Sequence, residues 1–169
     1  MSAIDDKRNE LPWIGNAVDE GAGSAEMDLG DGRGHARDYE FGSIYFTPQT
    51  GAHEVHGDIR VKWASLGGHR SFLGYPLTDE TGCPDGHGRF NHFEGGSIYW
   101  TPEIGPHEVH GDIRGLWAEM GWERSRLGYP TSDEGDMSGG RMSRFQGGEI
   151  QWSPGGGAHA VFSTRFDDN

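Results

Sequence analysis

A single cysteine, Cys83, leaves the chain unable to close an internal disulfide, so nothing in its fold depends on oxidising surroundings. Basic residues are scarce. Fourteen Lys and Arg face 27 Asp and Glu, and the formal charge of −13 repels nucleic acid phosphates and anionic lipid, which excludes both as partners. No apolar run approaches the roughly 20 residues that a membrane helix needs, so membrane insertion is not expected. The stretch from Met1 to Glu10 has neither a basic n-region nor an apolar h-region, and as written the chain is expected to be cytoplasmic, with no export signal. The strict Gly-X-Y period of collagen is also missing. Glycine itself is abundant: thirty in 169 residues argue against a helix bundle, because each costs about 1 kcal/mol inside a helix relative to alanine, and point to short elements joined by tight turns. Six tryptophans and an aromatic content of 11% exclude simple disorder.

What is present is a unit written about three times. Gly42-Ser-Ile-Tyr-Phe-Thr-Pro48 returns as Gly96-Ser-Ile-Tyr-Trp-Thr-Pro102 and, loosened, as Gly148-Glu-Ile-Gln-Trp-Ser-Pro154. His53-Glu-Val-His-Gly-Asp-Ile-Arg60 recurs unchanged at His107 to Arg114 and survives as His159-Ala-Val-Phe-Ser163. Leu73-Gly-Tyr-Pro-Leu-Thr-Asp-Glu80 returns as Leu127-Gly-Tyr-Pro-Thr-Ser-Asp-Glu134, with a forerunner at Ile14-Gly-Asn-Ala-Val-Asp-Glu20.

Each unit predicts a short helix, an extended corner and a β-hairpin. Helices are expected over 58–66 and 112–120, with Asp58 and Asp112 as N-caps, Ile59, Trp63 and Leu66 on one face, and Gly67-Gly68 as the stop. Leu73-Gly-Tyr-Pro breaks helical geometry, because the residue before a proline is pushed to extended angles. Hairpins follow over 35–48, 88–102 and 141–154; in the second, Arg89 to Phe93 and Ser97 to Thr101 flank a glycine turn. Such a unit is too small to bury its own apolar face, so the fold class is α+β, one domain over 1–169, with three units of about 54 residues packed pseudo-symmetrically. The chain opens with a corner and stops where a helix should begin. Residues 4–11 are therefore expected to supply the missing helix beside Val161, closing a ring through the termini.

The Leu-Gly-Tyr-Pro corners at Leu73 to Pro76 and Leu127 to Pro130, with their flanking Gly-Ser-Ile-Tyr-Trp and His-Glu-Val-His-Gly-Asp-Ile segments, resemble the LGFP repeat family over nearly everything from Trp13 to Phe162. The resemblance implies an actinobacterial module that holds secreted enzymes, such as mycolyltransferases and amidases, to cell-wall polysaccharide, and hence a cell-envelope or secreted setting. It also implies units that close into compact pseudo-symmetric assemblies.

Period-two alternation on the second hairpin strand separates Ile44 and Phe46 from Tyr45, Ile98 and Trp100 from Tyr99, and Ile150 and Trp152 from Gln151. With the isoleucine set facing the core, Tyr45, Tyr99 and Gln151 lie on the other face. A flat ring beside polar groups suits a sugar, and the histidines His53, His56, His107 and His110 would add hydrogen bonds. The same tyrosines could instead pack against the adjacent unit. The His-x-x-His-x-Asp strings lack the spacing of the helical zinc-protease motif, and no metal or other cofactor is expected. Asp19-Glu20, Asp79-Glu80 and Asp133-Glu134 invite comparison with glycosidase carboxylate pairs, but adjacent residues on an extended chain point apart, and carboxylates accepting backbone N–H groups are the simpler role. Gly30-Asp-Gly-Arg-Gly34 has no strand leading into it and only superficially resembles a phosphate loop. The expected function is a non-catalytic carbohydrate-binding module for cell-envelope polysaccharide, its partner a glycan held at several weak sites between units. The alternative is a small intracellular enzyme, or an accessory to one, with His56, His110 and a carboxylate converging on one central or inter-repeat pocket.

Overall fold

The computed structural model describes residues 2–18 and 26–163. Three antiparallel sheets of four strands follow one another along the chain. The first holds β1 (Met27–Asp28), β2 (His35–Tyr39), β3 (Gly42–Thr47) and β4 (Gly51–Val55). The second holds β5 (Thr81–Gly82), β6 (Arg89–Phe93), β7 (Gly96–Thr101) and β8 (Gly105–His110), and the third β9 (Gly135–Met137), β10 (Gly140–Phe145), β11 (Gly148–Ser153) and β12 (Gly157–Phe162). The hairpin register is that of the alternation: Arg89 faces Trp100 and Phe93 faces Gly96. Each sheet gains two strands beyond the hairpin, the larger being β4, β8 and β12, formed by the His-Glu-Val-His segment and its counterparts.

Three helices accompany the sheets: α1 (Ala3–Glu10), α2 (Gly57–Leu66) and α3 (Gly111–Met120). α2 stops at Gly67, whose φ of 120° is open to glycine and strained for other residues. The aspartates do not cap. His56 and His110 occupy the N-cap positions with no side-chain cap, while Asp58 and Asp112 sit inside the first turn. Their carboxylates accept the indole N–H groups of Trp100 (3.1 Å) and Trp152 (3.0 Å) from the following sheet.

Helices and sheets alternate in space. α1 lies on β3 and β4, burying Ile4 with Ile14, Tyr39 and Ile44. α2 lies against the second sheet through Ile59, Trp63, Phe93 and Ile98, and its other side meets Tyr45 of the first sheet, edge-on to Trp63 with ring centres 4.7 Å apart. α3 repeats this between the second and third sheets, with Trp117 against both Tyr99 and Phe145. The core is thus three clusters, two of them straddling a unit boundary. The helix near the N-terminus forms as expected, but it completes the first sheet and does not lie beside Val161, which is 43% exposed.

The corner tyrosines lock adjacent units. Tyr75 donates its hydroxyl to Asp31, whose other oxygen accepts the N–H groups of Arg33 and Gly34, and Tyr129 does the same to Asp85 at 2.7 Å. A Cβ on Gly34 would stand 2.2 Å from the Tyr75 hydroxyl, and one on Gly88 2.4 Å from Tyr129. The Gly30–Gly34 loop is therefore the seat of the next unit's tyrosine.

Candidate functional site: two inter-unit clefts

Of the seven residues singled out from the sequence, Tyr99 is the clearest correction. It is 3% exposed, with Phe90 stacked at 5.0 Å and Trp117 edge-on at 4.8 Å, and burial pushes its hydroxyl well above the usual phenol range. Tyr45 is half-buried against Trp63, and burial raises it too. The alternation located the tyrosines on the far face, but the next helix covers that face, so neither ring is an open platform. Gln151 occupies the same place on the third sheet, half-buried, and donates to Glu149 at 2.6 Å.

His53 and His107 act as ties. His53 holds Asp79 through Nδ1 at 3.1 Å and the Thr50 carbonyl through Nε2 at 2.8 Å. Asp79 also accepts from the Glu54 N–H and from Lys7 of α1 at 2.9 Å. Burial works to raise this carboxyl, but the bonds from His53 and Lys7 outweigh it and bring it down to about 2. His107, Asp133 and Lys62 of α2 repeat the arrangement, with Asp133 also held at about 2. These aspartates accept backbone N–H bonds, and their neighbours Glu80 and Glu134 turn the other way. Asp19-Glu20 lies outside the described residues; the position before β1 that matches Glu80 is filled by Glu26, which accepts the Ser2 hydroxyl.

His56 and His110 do reach open space, each in its own cleft. The first cleft, about 180 Å³, is lined by His56, Asp58, Glu80, Arg89 and Trp100 with the start of α2. The second, about 290 Å³, is lined by His110, Asp112, Glu134, Arg141 and Trp152 with the start of α3. Every side chain of one has its counterpart in the other. The imidazole of His56 bridges two carboxylates, Nδ1 to Glu54 at 2.7 Å and Nε2 to Glu80 at 3.3 Å, and the Glu54 bond raises its pKa. Glu80 also accepts from Arg89 Nε at 2.6 Å, while its own N–H donates to Glu54 at 2.8 Å. In the second cleft His110 meets Glu108 at 2.6 Å and Glu134 at 3.5 Å, and Arg141 donates to Glu134 at 2.9 Å. Beside each cleft an aromatic rests on the histidine: Trp13 on His56 at 4.6 Å, and Phe72 on His110 at 4.5 Å, 44% and 51% exposed.

The two histidines that the enzyme alternative would bring together are therefore held apart, one per cleft. His53 and His56 also diverge, and among the described residues no group of three or more His, Cys, Asp or Glu is arranged to hold a metal ion. Cys83 is buried, and burial raises its thiol to about 11, which keeps it from acting as a nucleophile at neutral pH. A larger cavity, about 360 Å³, lies at the outer end between α1 and β2, where Asp5, Arg8 and Asn16 line it. It has no repeated counterpart and does not share the chemistry of the clefts.

Arg89 with Arg141, and Trp100 with Trp152, are site residues that no motif marks. Their signal is identity at equivalent places in two copies, while the alternation places the tryptophans in the core with Ile98 and Ile150. They do pack there, with their indole N–H edges left at the cleft.

The LGFP repeat family model matches residues 23–71, 73–125 and 127–167. The chain belongs to the LGFP repeat family. The second and third matches open at their corners, Leu73 and Leu127, and the first and second run through their sheets and end beyond the helix that packs on the next sheet. The clefts thus lie at junctions between LGFP units. Among curated proteins none matches the chain.

Proposed function

We propose that the protein is a non-catalytic carbohydrate-binding module for cell-envelope polysaccharide, with the two inter-unit clefts as its sites. The observation that carries this is the repetition of one lining, an indole edge with a guanidinium, an imidazole and two carboxylates, in two open clefts of one chain. Sugars need this mixture: hydroxyls take donors and acceptors in one plane, and the axial C–H face of the ring packs on an aromatic. The outward parts of Trp13 and Phe72 extend each cleft with such a face. Two weak sites on one chain hold a polymer with repeating epitopes far better than either holds a short fragment. The implied association of LGFP repeats with enzymes of the actinobacterial wall supports the same direction.

The test is a glycan array and a pull-down on isolated wall polysaccharide, comparing the wild type with the Trp100→Phe/Trp152→Phe double variant. The first unit carries Phe46 at the matching place, so phenylalanine is compatible with the fold there. Retention of the wild type and at least several-fold weaker retention of the variant is expected. No retention of the wild type on any glycan overturns the proposal.

A further inference from the structure

Both clefts contain charge, and in both each basic side chain already has a carboxylate partner. In the first, the basic side chains are His56 and Arg89: His56 is bonded to Glu54 and Glu80, Arg89 to Glu80. Asp58, held by the Trp100 indole, adds a further negative group. The second cleft pairs His110 and Arg141 with Glu108 and Glu134, and there Arg141 also bonds Asp136. Carboxylates outnumber cations in each, on a chain whose formal charge is −13.

Resting on the glycan reading above, we propose that both clefts select an uncharged polyhydroxylated chain and exclude polymers bearing phosphate, sulfate or uronate groups. An anion entering the first cleft meets the carboxylates of Glu54, Glu80 and Asp58 around the one N–H edge of Arg89 that Glu80 leaves free, and neutralising itself by taking Arg89 or His56 would leave Glu80, whose side chain is only 8% exposed, buried without its partner, which is strongly destabilising. A cationic ligand that takes Glu80 from Arg89 and His56 meets the converse cost. A hydroxyl breaks nothing. It donates to a lone pair that the carboxylates still have and accepts from a guanidinium N–H that Glu80 does not use, so it adds to the network as it stands. The same pairing in the second cleft, with Glu134 10% exposed, extends the exclusion to both sites.

Affinity electrophoresis of the full chain tests this, with a neutral galactan, a polygalacturonate, a polyol-phosphate polymer and chitosan as the immobilised probes. The neutral polymer is expected to retard the protein at least about ten-fold more strongly than any charged one. That retardation should change less than about two-fold between about 50 and about 500 mM salt, because no ion pair with the ligand is there to be screened. The Asp58→Asn/Asp112→Asn variant keeps an acceptor for each indole and removes one negative charge per cleft. It is expected to raise retardation by the acidic polymers relative to the neutral one several-fold, and an unchanged ratio overturns the selectivity. Stronger retardation by an acidic polymer or by chitosan, or collapse of neutral binding in salt, overturns the selectivity and leaves glycan binding standing. No retardation by any polymer overturns the glycan reading itself.

Discussion

Gly34 and Gly88 have no side chain because the next unit's tyrosine occupies the space where one would begin. Substituting Gly34→Ala forces Tyr75 off the loop and off Asp31. The expected cost is about 3 kcal/mol, lowering Tm by roughly 6–12 °C in a domain of this size, and thermal unfolding followed by circular dichroism checks it. An unchanged Tm would mean that the loop is not the seat of the tyrosine. Titration is a second property of single residues, and here the histidines oppose one another. Burial lowers His92 from 6.5 to about 4, with Arg114 adding to the effect, and burial lowers His69 in the same direction. Between those values the unfolded chain binds protons that the folded chain refuses, so stability falls as pH drops below 6.5. Asp79 and Asp133, held down to about 2, continue this acid limb below pH 4, and Glu80, raised by burial, opposes it only in part. His56 and His110 are raised by Glu54 and Glu108, so above 6.5 the folded chain keeps protons that the unfolded chain has released, and stability falls as pH rises. A Tm maximum near pH 6.5 is therefore expected. His92→Asn should flatten the acid limb, and His56→Gln with His110→Gln the alkaline one. A Tm that rises monotonically from pH 5 to pH 8 would contradict the assignment.

Among the elements, α1 differs from α2 and α3 in how it begins. α2 and α3 follow directly from strands that fix their entry, and they have no side-chain cap, whereas α1 has a full capping box: Ser2 accepts from the Asp5 N–H at 3.1 Å and Asp5 accepts from the Ser2 N–H at 3.3 Å. Ser2→Ala should cost about 1 kcal/mol and weaken hydrogen-exchange protection of residues 3–10 before that of α2 or α3; equal loss in all three helices would show that the box is not what holds α1. These elements also show what a single sequence reveals. The hairpins and the helices at 58–66 and 112–120 were legible because glycine turns, the isoleucine alternation and the Ile-Trp stripe are local signals. β4 and β8 were not, because each carries a glutamate, Glu54 or Glu108, on a face that only a distant segment covers. Both are almost fully buried, made tolerable by His56 and the Glu80 N–H in one case and by His110 and the Glu134 N–H in the other. The period-two pattern on β7 separates two faces and does not say whether the second is wet. Tyr99 was misplaced for that reason, since its cover comes from α3, a different segment of chain. The clefts were half legible: the sequence named His56 and His110, and Glu54 and Glu108 stand two residues before them, but Glu80 and Glu134, which complete each bridge, stand two dozen residues further along, in the next unit.

At the scale of the whole molecule, the inexact copies follow from the alternation of helix and sheet. An inner unit meets a neighbour on both sides, while an outer one turns a face to solvent. The tyrosine position is Tyr45 and Tyr99 where a helix covers it and Gln151 on the last sheet; Trp63 and Trp117 stand four residues after Ile59 and Ile113, where α1 has Arg8 after Ile4. Where each unit touches only its neighbours, stability is a sum of unit and interface contributions. The junction between the second and third units rests on Trp117, which touches Tyr99 on one side and Phe145 on the other and donates to the Gly128 carbonyl at 3.1 Å. Trp117→Ala empties that junction at a cost of about 3–5 kcal/mol. Because the first two units keep their own clusters around Ile4 and Trp63, the loss should not be uniform: the third sheet is expected to lose hydrogen-exchange protection at much lower denaturant than β2 to β4, and the unfolding transition to split in two. A single transition, with all three sheets losing protection together, would mean that the units are one cooperative body, and the division of the core into three clusters would then have no energetic meaning.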